Sequence, residues 1–369
     1  MTSDLLYQLA LTEVPNIGCV QAKILIEHFH DAGSVFKAKE SGLKNIEGIG
    51  EIRARSIKSF NDFFKAEEEI KFIEKYQIKP VFLTDTDYPK RLLNCYDSPT
   101  LLFYKGTADL NASKIIAMIG TRTHTDYAKH VTDKLIKGLA AQNVLIVSGM
   151  AFGVDAMAHK ASLRNDLSTV GVLAHGLDQI YPSEHSNLAK DMMKHGGGLL
   201  TEYRSNTKPD KHNFPVRNRI VAGMCDAVIV IETGIKGGSM ITAELANGYN
   251  KDVFAIPGKI TDNKSAGCNY LIKNNKAVLL TDVEELIQMM GWEEEAKRKR
   301  GGKRQREIFI ELTKDEKVVI DILKEKETVH IDEINLRSGL SSSAIAAAIL
   351  NLELQGVINS KPGKMYNLP

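Results

Sequence analysis

The stretch IIAMIGTRTHTDYAKHVTDKLIKGLAAQNVLIVSG, residues 115–149, decides the fold class. Apolar runs stand at its two ends, 115–120 and 144–149, and each is too short for a helix. Such runs are typical of parallel strands that are buried on both faces of a sheet. Between them, a turn containing Gly leads into a segment of helical length that we expect to begin near Asp126. The stretch therefore predicts a strand, a helix and a second strand of a parallel sheet.

The same alternation continues along the chain to about residue 290. Further apolar runs are TVGVLA (169–174), GLLTE (198–202), AVIVIE (227–232), DVFAIPG (252–258) and AVLL (277–280), with segments of helical length between them. This pattern predicts an α/β fold, an extended Rossmann-like, doubly wound parallel sheet. In such folds the functional loops lie at the carboxyl ends of the strands. We therefore expect the site there.

Helical periodicity covers residues 5–76, where two turns resemble those of helix-hairpin-helix (SAM-like) domains. They are Pro15-Asn16-Ile17-Gly18 and Glu47-Gly48-Ile49-Gly50. Glycines in such a turn let the backbone approach a phosphate, which can accept from N–H groups that open the next helix. The alternative is a small helical domain whose glycines only close tight turns and which does not contact DNA.

The segment after Trp292 changes in composition. Residues 297–306 hold seven basic residues and no acidic one, which indicates a charged linker or, alternatively, a nonspecific contact to a polyanion. Beyond it, three helical segments and a hairpin with a wing-like turn predict a winged helix. The predicted domains are 1–80 (helical), 81–291 (Rossmann-like, DNA-binding), 292–311 (linker) and 312–369 (winged helix).

The third helix of that winged helix, 341–355, contains no Lys or Arg. A helix that reads duplex DNA needs side chains that reach base edges or phosphates. We therefore expect residues 312–369 to be an interaction module. The alternative is a weak contact of the wing, through Lys361 and Lys364, with DNA.

Composition excludes several classes of protein. The chain has 369 residues, 43% hydrophobic and 25% charged, and its 48 Lys and Arg nearly balance 46 Asp and Glu, so neither disorder nor a collagen-like repeat is indicated. Four cysteines without a CxxC pair predict neither a zinc ribbon nor a disulfide framework. We find no signal peptide and no long apolar segment, and we expect a cytoplasmic protein without membrane contact.

Two segments could bind an anionic strand. Gly120, Thr121 and Arg122 follow a predicted strand, so N–H groups of the turn and the guanidinium can contact a phosphate. The motif is neither GxGxxG nor a P-loop, and we expect no cofactor. Alternatively, Arg122 forms a salt bridge to a neighbouring loop.

The segment 204–219, RSNTKPDKHNFPVRNR, holds five Lys or Arg, one acid and Phe214. Cations with an interleaved ring are typical of single-stranded nucleic-acid binding, because the cations follow the phosphates while the ring stacks on a base. Alternatively, Phe214 fills the core while Arg217 and Arg219 cap sheet carbonyls.

Signals for catalysis or metal binding are weak. Asp155 and His159 share a helix face and could hold a metal or form an acid/base pair, but such a His more often makes a structural hydrogen bond. Gly237-Gly238 with Glu244 is similar to the PGGxGTxxE signature of nucleoside monophosphate phosphoribohydrolases, although other positions of that signature differ. That enzyme class is the alternative function.

Taken together, several motifs resemble the DNA processing protein A (DprA, also called Smf) family. They are DYPKRL (87–92), DSPTLLFYKG (97–106), AMIGTRTHTDYA (117–128), VSGMAFGVDAMAHKASL (147–163), GLDQIYPSEHSNL (176–188), NFPVRNRIVAG (213–223), GGSMITAELA (237–246), DVFAIPG (252–258) and GCNYLI (267–272). The resemblance implies a non-enzymatic, ATP-independent protein. It would bind and protect single-stranded DNA during natural transformation, help load RecA, and form a homodimer through the Rossmann-like domain.

The resemblance also implies a DNA-binding set without catalytic or metal-binding residues. The set is Gly120, Thr121, Arg122, Lys211, Asn213, Phe214, Arg217, Asn218 and Arg219. Two loops depart from the family pattern: Phe152 stands where SGLARGID has Arg, and Gly237-Gly238-Ser239 replaces the SG[ST] type. Phe152 either stacks on a base or packs against the protein.

Overall fold

A computed structural model describes residues 3–293, 312–326, 328–355, 357–361 and 364–368. The chain forms two compact units, residues 1–296 and 297–369. The basic run 297–306, and with it most of the predicted linker, lies outside the described residues. The predicted domain boundaries at 80/81 and 291/292 stay predictions.

The first unit is built on a sheet of nine strands in the order β1-β2-β6-β5-β4-β3-β7-β8-β9. From β6 to β9 all neighbours are parallel, whereas β1 and β2 are antiparallel at one edge. The predicted α/β fold is confirmed. The strands are β1 (Lys79–Phe82), β2 (Leu101–Gly106), β3 (Ile115–Gly120), β4 (Leu145–Gly149), β5 (Thr169–Val172), β6 (Gly198–Thr201), β7 (Ala227–Glu232), β8 (Asp252–Ala255) and β9 (Val278–Leu279).

Helices cover both faces of this sheet. Successive strand residues point to opposite faces, so Ala117 belongs to one hydrophobic core and its neighbours Ile116 and Met118 to the other. The helices after β1 are α7 (Lys90–Leu93), α8 (Asp126–Leu139), α9 (Val154–Arg164), α10 (Ser186–Lys194), α11 (Asn213–Gly223), α12 (Gly238–Gly248), α13 (Ala266–Lys273) and α14 (Val283–Met289).

A layer of six helices precedes the sheet and shares a third core with Phe82, Leu101 and Phe103 of β1 and β2. The two predicted turns occur where expected, before α2 and at the start of α5. Arg53 joins the two turns by donating to the carbonyl of Asn16 at 3.1 Å and to the carbonyl of Gly48 at 3.0 Å. Their contact with DNA stays a prediction. The helices are α1 (Ser3–Leu11), α2 (Cys19–Phe29), α3 (Ala32–Lys37), α4 (Glu40–Lys44), α5 (Gly50–Ser59) and α6 (Phe64–Tyr76).

The second unit is a winged helix, as predicted. Its helices pack through Val319, Ile334, Ile345 and Leu352, all of them buried. The three strands pair in the order β10-β12-β11. The elements are α15 (Lys314–Lys324), β10 (Val329–His330), α16 (Ile331–Ser338), α17 (Ser342–Leu354), β11 (Asn359–Lys361) and β12 (Met365–Asn367). Across the described ranges of both units, no helix is long and apolar enough to cross a membrane.

Candidate nucleic-acid interface

A cavity of about 710 Å³ lies at the carboxyl edge of the sheet, where β3, β4 and β7 end and α11 and α12 begin. We call it the edge cavity. Seven of the nine predicted DNA-binding residues line it: Gly120, Thr121, Arg122, Lys211, Phe214, Arg217 and Asn218. The chain thus brings together the two segments that were predicted separately from the sequence.

The loop after β3 is fixed by hydrogen bonds to the end of β7. Thr121 donates its N–H to the carbonyl of Glu232 at 2.7 Å. The carboxylate of Glu232, which is 2% exposed, accepts from the N–H and hydroxyl of Thr125, and Thr125 also caps α8 by accepting from Ala128 N–H. A capped helix start and a buried carboxylate therefore hold the backbone that carries Arg122.

A second loop, 150–153, lies directly against the first. Gly153 has φ +80°, and a Cβ there would lie 2.1 Å from the carbonyl oxygen of Thr121. Val154 donates its N–H to that same oxygen at 3.1 Å. Only glycine fits this approach, so the loop that carries Phe152 is locked beside the loop that carries Arg122.

Arg122 and Phe214 form the exposed side of the edge cavity. The guanidinium carbon of Arg122 lies 5.3 Å from the centre of the half-buried Phe214 ring, and the Tyr181 ring lies 6.0 Å from it. Arg122 is exposed and has no ion pair within residues 3–293, so the alternative of a salt bridge is not observed. A cation and a ring are therefore presented at one place.

Arg217 forms the floor of the edge cavity and is only 5% exposed. Its Nη1 donates to the carbonyl of Val172, and its Nε to Asn218 Oδ1 at 3.2 Å. Burial raises the pKa of the neighbouring Asp155, and the positive charge of Arg217 opposes this shift. Arg217 thus caps a sheet carbonyl, as the alternative anticipated, and still lines the cavity. The lining of the edge cavity contains three cationic residues, Arg122, Lys211 and Arg217. Asp155 is the one acidic residue among the described lining residues.

The segment that carries Phe214 and Arg217 is helical from Asn213 onward. Residues two apart on a helix point in nearly opposite directions, because each residue turns the helix by about 100°. Arg219 accordingly forms an ion pair with Glu202 and donates to the carbonyl of Asp97, and it lines a different cavity. Arg219, one of the nine residues predicted to bind DNA, therefore does not line the edge cavity.

Asn213 also lies outside the lining of the edge cavity. Its side chain donates to the carbonyl of Ala174 at 3.3 Å, and its own carbonyl accepts from the hydroxyl of Tyr203 at 3.3 Å. Beside Arg219, burial raises the pKa of Glu202 to about 7, and the charge of the Arg219 guanidinium opposes this shift.

The weaker signals have structural explanations. His159 is buried between Thr169 Oγ1 and the carbonyl of Gly149, both at 2.7 Å, and burial lowers its pKa to about 4. No group of three or more metal-ligating side chains occurs in the described part of the chain. Glu244, on which the phosphoribohydrolase alternative depended, forms an ion pair with Lys276 at 2.7 Å and does not line the edge cavity.

Sequence reasoning missed several lining residues. Tyr181, which precedes Pro182, lines the edge cavity, and the centre of its ring lies 6.0 Å from that of Phe214. Ser239 donates to Thr233 Oγ1 at 2.7 Å and orders the loop before α12, whose first residue, Gly238, also lines the cavity. The positive end of that helix adds to the attraction for an anion. The sequence did offer one signal for Tyr181, since it is an aromatic residue in a loop that follows a predicted strand.

Comparison with known families agrees with this geometry. Residues 79–291 match the profile described as DNA recombination-mediator protein A, and residues 310–364 match the DprA winged helix domain. The chain belongs to the DNA recombination-mediator protein A (DprA) family. This membership places it among DNA-processing proteins rather than among the phosphoribohydrolases.

Individual DprA-family relatives span most of the chain. Protein Smf of Synechocystis is 33% identical over 400 residues, which cover 99% of this chain and 98% of the relative. The X-ray structure of DNA processing protein A from Streptococcus pneumoniae matches with a TM-score of 0.65 and 32% identity, over 78% of this chain and 98% of that one. A structure from Helicobacter pylori, described as showing the single-stranded DNA binding mode of its DNA processing protein A, matches with a TM-score of 0.53 and 31% identity, over 58% and 96%.

Proposed function

We propose that this chain binds single-stranded DNA in the edge cavity. Arg122, Lys211 and Arg217 would contact phosphates, and Phe214 would stack on a base. The observation that carries the proposal is the contact between Arg122 and Phe214, since it presents a cation without a carboxylate partner in residues 3–293 beside an aromatic ring. Nonspecific single-strand binding requires this combination, with phosphates neutralised and bases stacked. The remaining predicted contacts are Gly120, Thr121 and Asn218.

The wider role that we propose follows from the family resemblance. The protein would protect DNA that enters the cell in natural transformation and help load RecA on it in the cytoplasm. It would act as a homodimer through the Rossmann-like domain. The sheet edge formed by β9 supports a dimer. β9 pairs with β8 on one side only, and its two apolar residues, Val278 and Leu279, are 46% and 40% exposed. Size-exclusion chromatography with light scattering tests the dimer, and capture of RecA with and without a bound oligonucleotide tests the partner.

The decisive experiment for single-strand binding is a titration of an oligothymidylate at several salt concentrations. We expect log affinity to fall linearly with log salt, because each neutralised phosphate releases counterions. Incubation with AMP, followed by chromatographic detection of free purine, is the control for the phosphoribohydrolase class and should show no turnover. Absence of salt-dependent binding would refute the proposal and would favour a pure protein adaptor.

A further inference from the structure

One acidic residue lies in the edge cavity, among cations that suit an anion. Asp155, near the start of α9, lines the cavity with Arg122, Lys211 and Arg217, and it is 8% exposed. A phosphate that contacts these cations would therefore lie close to a carboxylate. Because the cavity is partly screened from water, two negative charges in it repel each other more strongly than they do in bulk solvent. The binding of an anion therefore has to overcome the charge of Asp155 or remove it.

Asp155 and Arg217 approach the same point beside the backbone of Gly149, the last residue of β4. A Cβ at Gly149 would lie 2.5 Å from Oδ2 of Asp155 and 2.7 Å from Nη2 of Arg217, so glycine leaves room for both side chains. The guanidinium donates to the carbonyl of Val172, and Asp155 Oδ2 accepts from the N–H of Ala151 at 3.3 Å. The two opposite charges are therefore near each other, while each group is held by its own hydrogen bond.

We infer that Asp155 takes up a proton when a phosphodiester binds in the edge cavity, so that the binding of single-stranded DNA is linked to pH. The inference rests on the proposed function and adds a regulation of the same site. A phosphate that contacts Arg217 competes for the positive charge that stabilises the ionised carboxylate, and its own negative charge disfavours that form. The proton comes from the buffer, and the neutral carboxyl group no longer repels the phosphate.

The direction of the pH dependence follows from the two states of Asp155. Burial already raises the pKa of Asp155 in the free protein, and the positive charge of Arg217 opposes this rise. A bound phosphate raises the pKa further, so the complex holds more protons than the free protein between the two pKa values. The affinity for DNA should therefore increase as pH falls through that interval, and Asp155 should contribute no pH dependence above or below it.

The groups that face Asp155 do not titrate in its place. They are Arg122, Arg217, Ser148 and the N–H of Ala151. Arginine stays charged at the pH values that proteins tolerate, and a serine hydroxyl and a backbone N–H stay neutral. His159 lies one turn further along α9, and burial lowers its pKa to about 4, so it is neutral at higher pH. Asp155 is therefore the member of this cluster whose charge can respond to a bound phosphate.

The test is isothermal titration calorimetry of the full chain with an oligothymidylate, at constant salt and about pH 5.5, 6.5 and 7.5. Buffers with different enthalpies of ionisation report how many protons are taken up on binding. We expect the wild type to take up more protons than Asp155→Asn at one or more of these pH values. Asn resembles the neutral acid, so above the interval the variant should bind about 3- to 30-fold more tightly, which corresponds to a rise of the Asp155 pKa by about 0.5 to 1.5.

Two sets of control variants isolate the contribution of Asp155. The exposed His124 and His212 lie in or beside the two binding segments and can also take up protons when DNA binds. The difference between Asp and Asn at position 155 should therefore persist in the double variant His124→Gln/His212→Gln. Asp133→Asn removes a carboxylate that pairs with Arg164 and does not line the edge cavity, so its proton uptake should equal that of the wild type.

Two outcomes would overturn the inference. Wild type and Asp155→Asn could take up the same number of protons at every pH, which would mean that the carboxylate does not respond to the phosphate. The His124→Gln/His212→Gln variant, which keeps Asp155, could also bind without any proton uptake, and this outcome does not depend on the folding of Asp155→Asn. In either case a wild type that binds in a salt-dependent manner leaves the proposed function intact. A wild type that does not bind refutes both.

Discussion

Replacing Arg122 by Ala removes an exposed cation of the edge cavity. One lost phosphate contact on a single strand lowers the slope of log affinity against log salt by about 0.7. When salt rises fourfold, from about 0.05 to 0.2 M, that slope corresponds to a factor of about 2.6, so the wild type should lose about 2.6-fold more affinity than the variant. The contact with Phe214 adds a loss of about 0.5–1 kcal/mol that is nearly independent of salt.

Fluorescence anisotropy with a labelled oligothymidylate at five or more salt concentrations, on the order of 0.05 to 0.2 M, separates these two losses. Arg122→Lys keeps the charge and should restore the slope. Arg164→Ala is the matched control: it removes an exposed arginine at the end of α9 that is paired with Asp133 and does not line the cavity. Its slope should equal that of the wild type.

An unchanged slope for Arg122→Ala, in a variant that melts like the wild type, would refute the assignment. The strand would then follow another surface. An equal drop in slope for Arg164→Ala would also refute it, because the effect would reflect the total charge of the protein and not the edge cavity.

Four other variants provide further tests. Phe214→Ala should weaken oligothymidylate binding by about 1–3 kcal/mol with an unchanged salt slope; a large fall in melting temperature would instead show that the ring serves the core. Arg219→Ala should leave the salt slope unchanged but lower the free energy of unfolding in urea by about 1–3 kcal/mol, because it leaves the largely buried Glu202 without its ion-pair partner. With a pKa of about 7, against an ordinary value of 4.5, Glu202 holds more protons in the folded state between those pH values. The free energy of unfolding of the wild type should therefore fall by about 3 kcal/mol as pH rises between those two values. Glu202→Gln should remove this pH dependence, and parallel pH profiles of the two proteins would contradict the prediction. A chain ending at residue 293 should bind the oligothymidylate like the full chain, since residues 312–369 are proposed as an interaction module; a large loss would contradict this.

The parallel strands could be predicted from sequence because burial on both faces requires continuous apolar runs. AVIVIE at 227–232 coincides with β7, and IIAMIG with β3. The antiparallel edge was missed. β1 contains Pro80 and only four residues, and β2 ends in Lys105 and Gly106, so neither carries the pattern of a central strand. β2 pairs with β1 and also with β6, which lies far along the chain, and a local pattern does not reveal such a partner.

The residue types of the candidate site could be predicted from the sequence, but the directions in which their side chains point could not. Charge and the central aromatic identified the segment around Phe214, and the carboxyl-edge rule joined it to Arg122. Which arginine faces the edge cavity depends on where α11 begins. Arg217 donates to the carbonyl of Val172 and Arg219 pairs with Glu202, so tertiary contacts hold the two side chains in different directions.

The helical layer has a consequence for the cost of binding. The carboxylate of Glu69, on α6, accepts from the N–H of Ser205 at 3.0 Å and from its hydroxyl at 2.5 Å, and Glu13 pairs with Arg204 at 3.0 Å. These contacts order the first residues of the basic segment before any ligand arrives. Conformational entropy that would otherwise be lost on binding is therefore already lost on folding. The helical layer thus fixes the first residues of segment 204–219, which precede Phe214 in the chain. This effect does not depend on whether the turns of the layer contact a nucleotide.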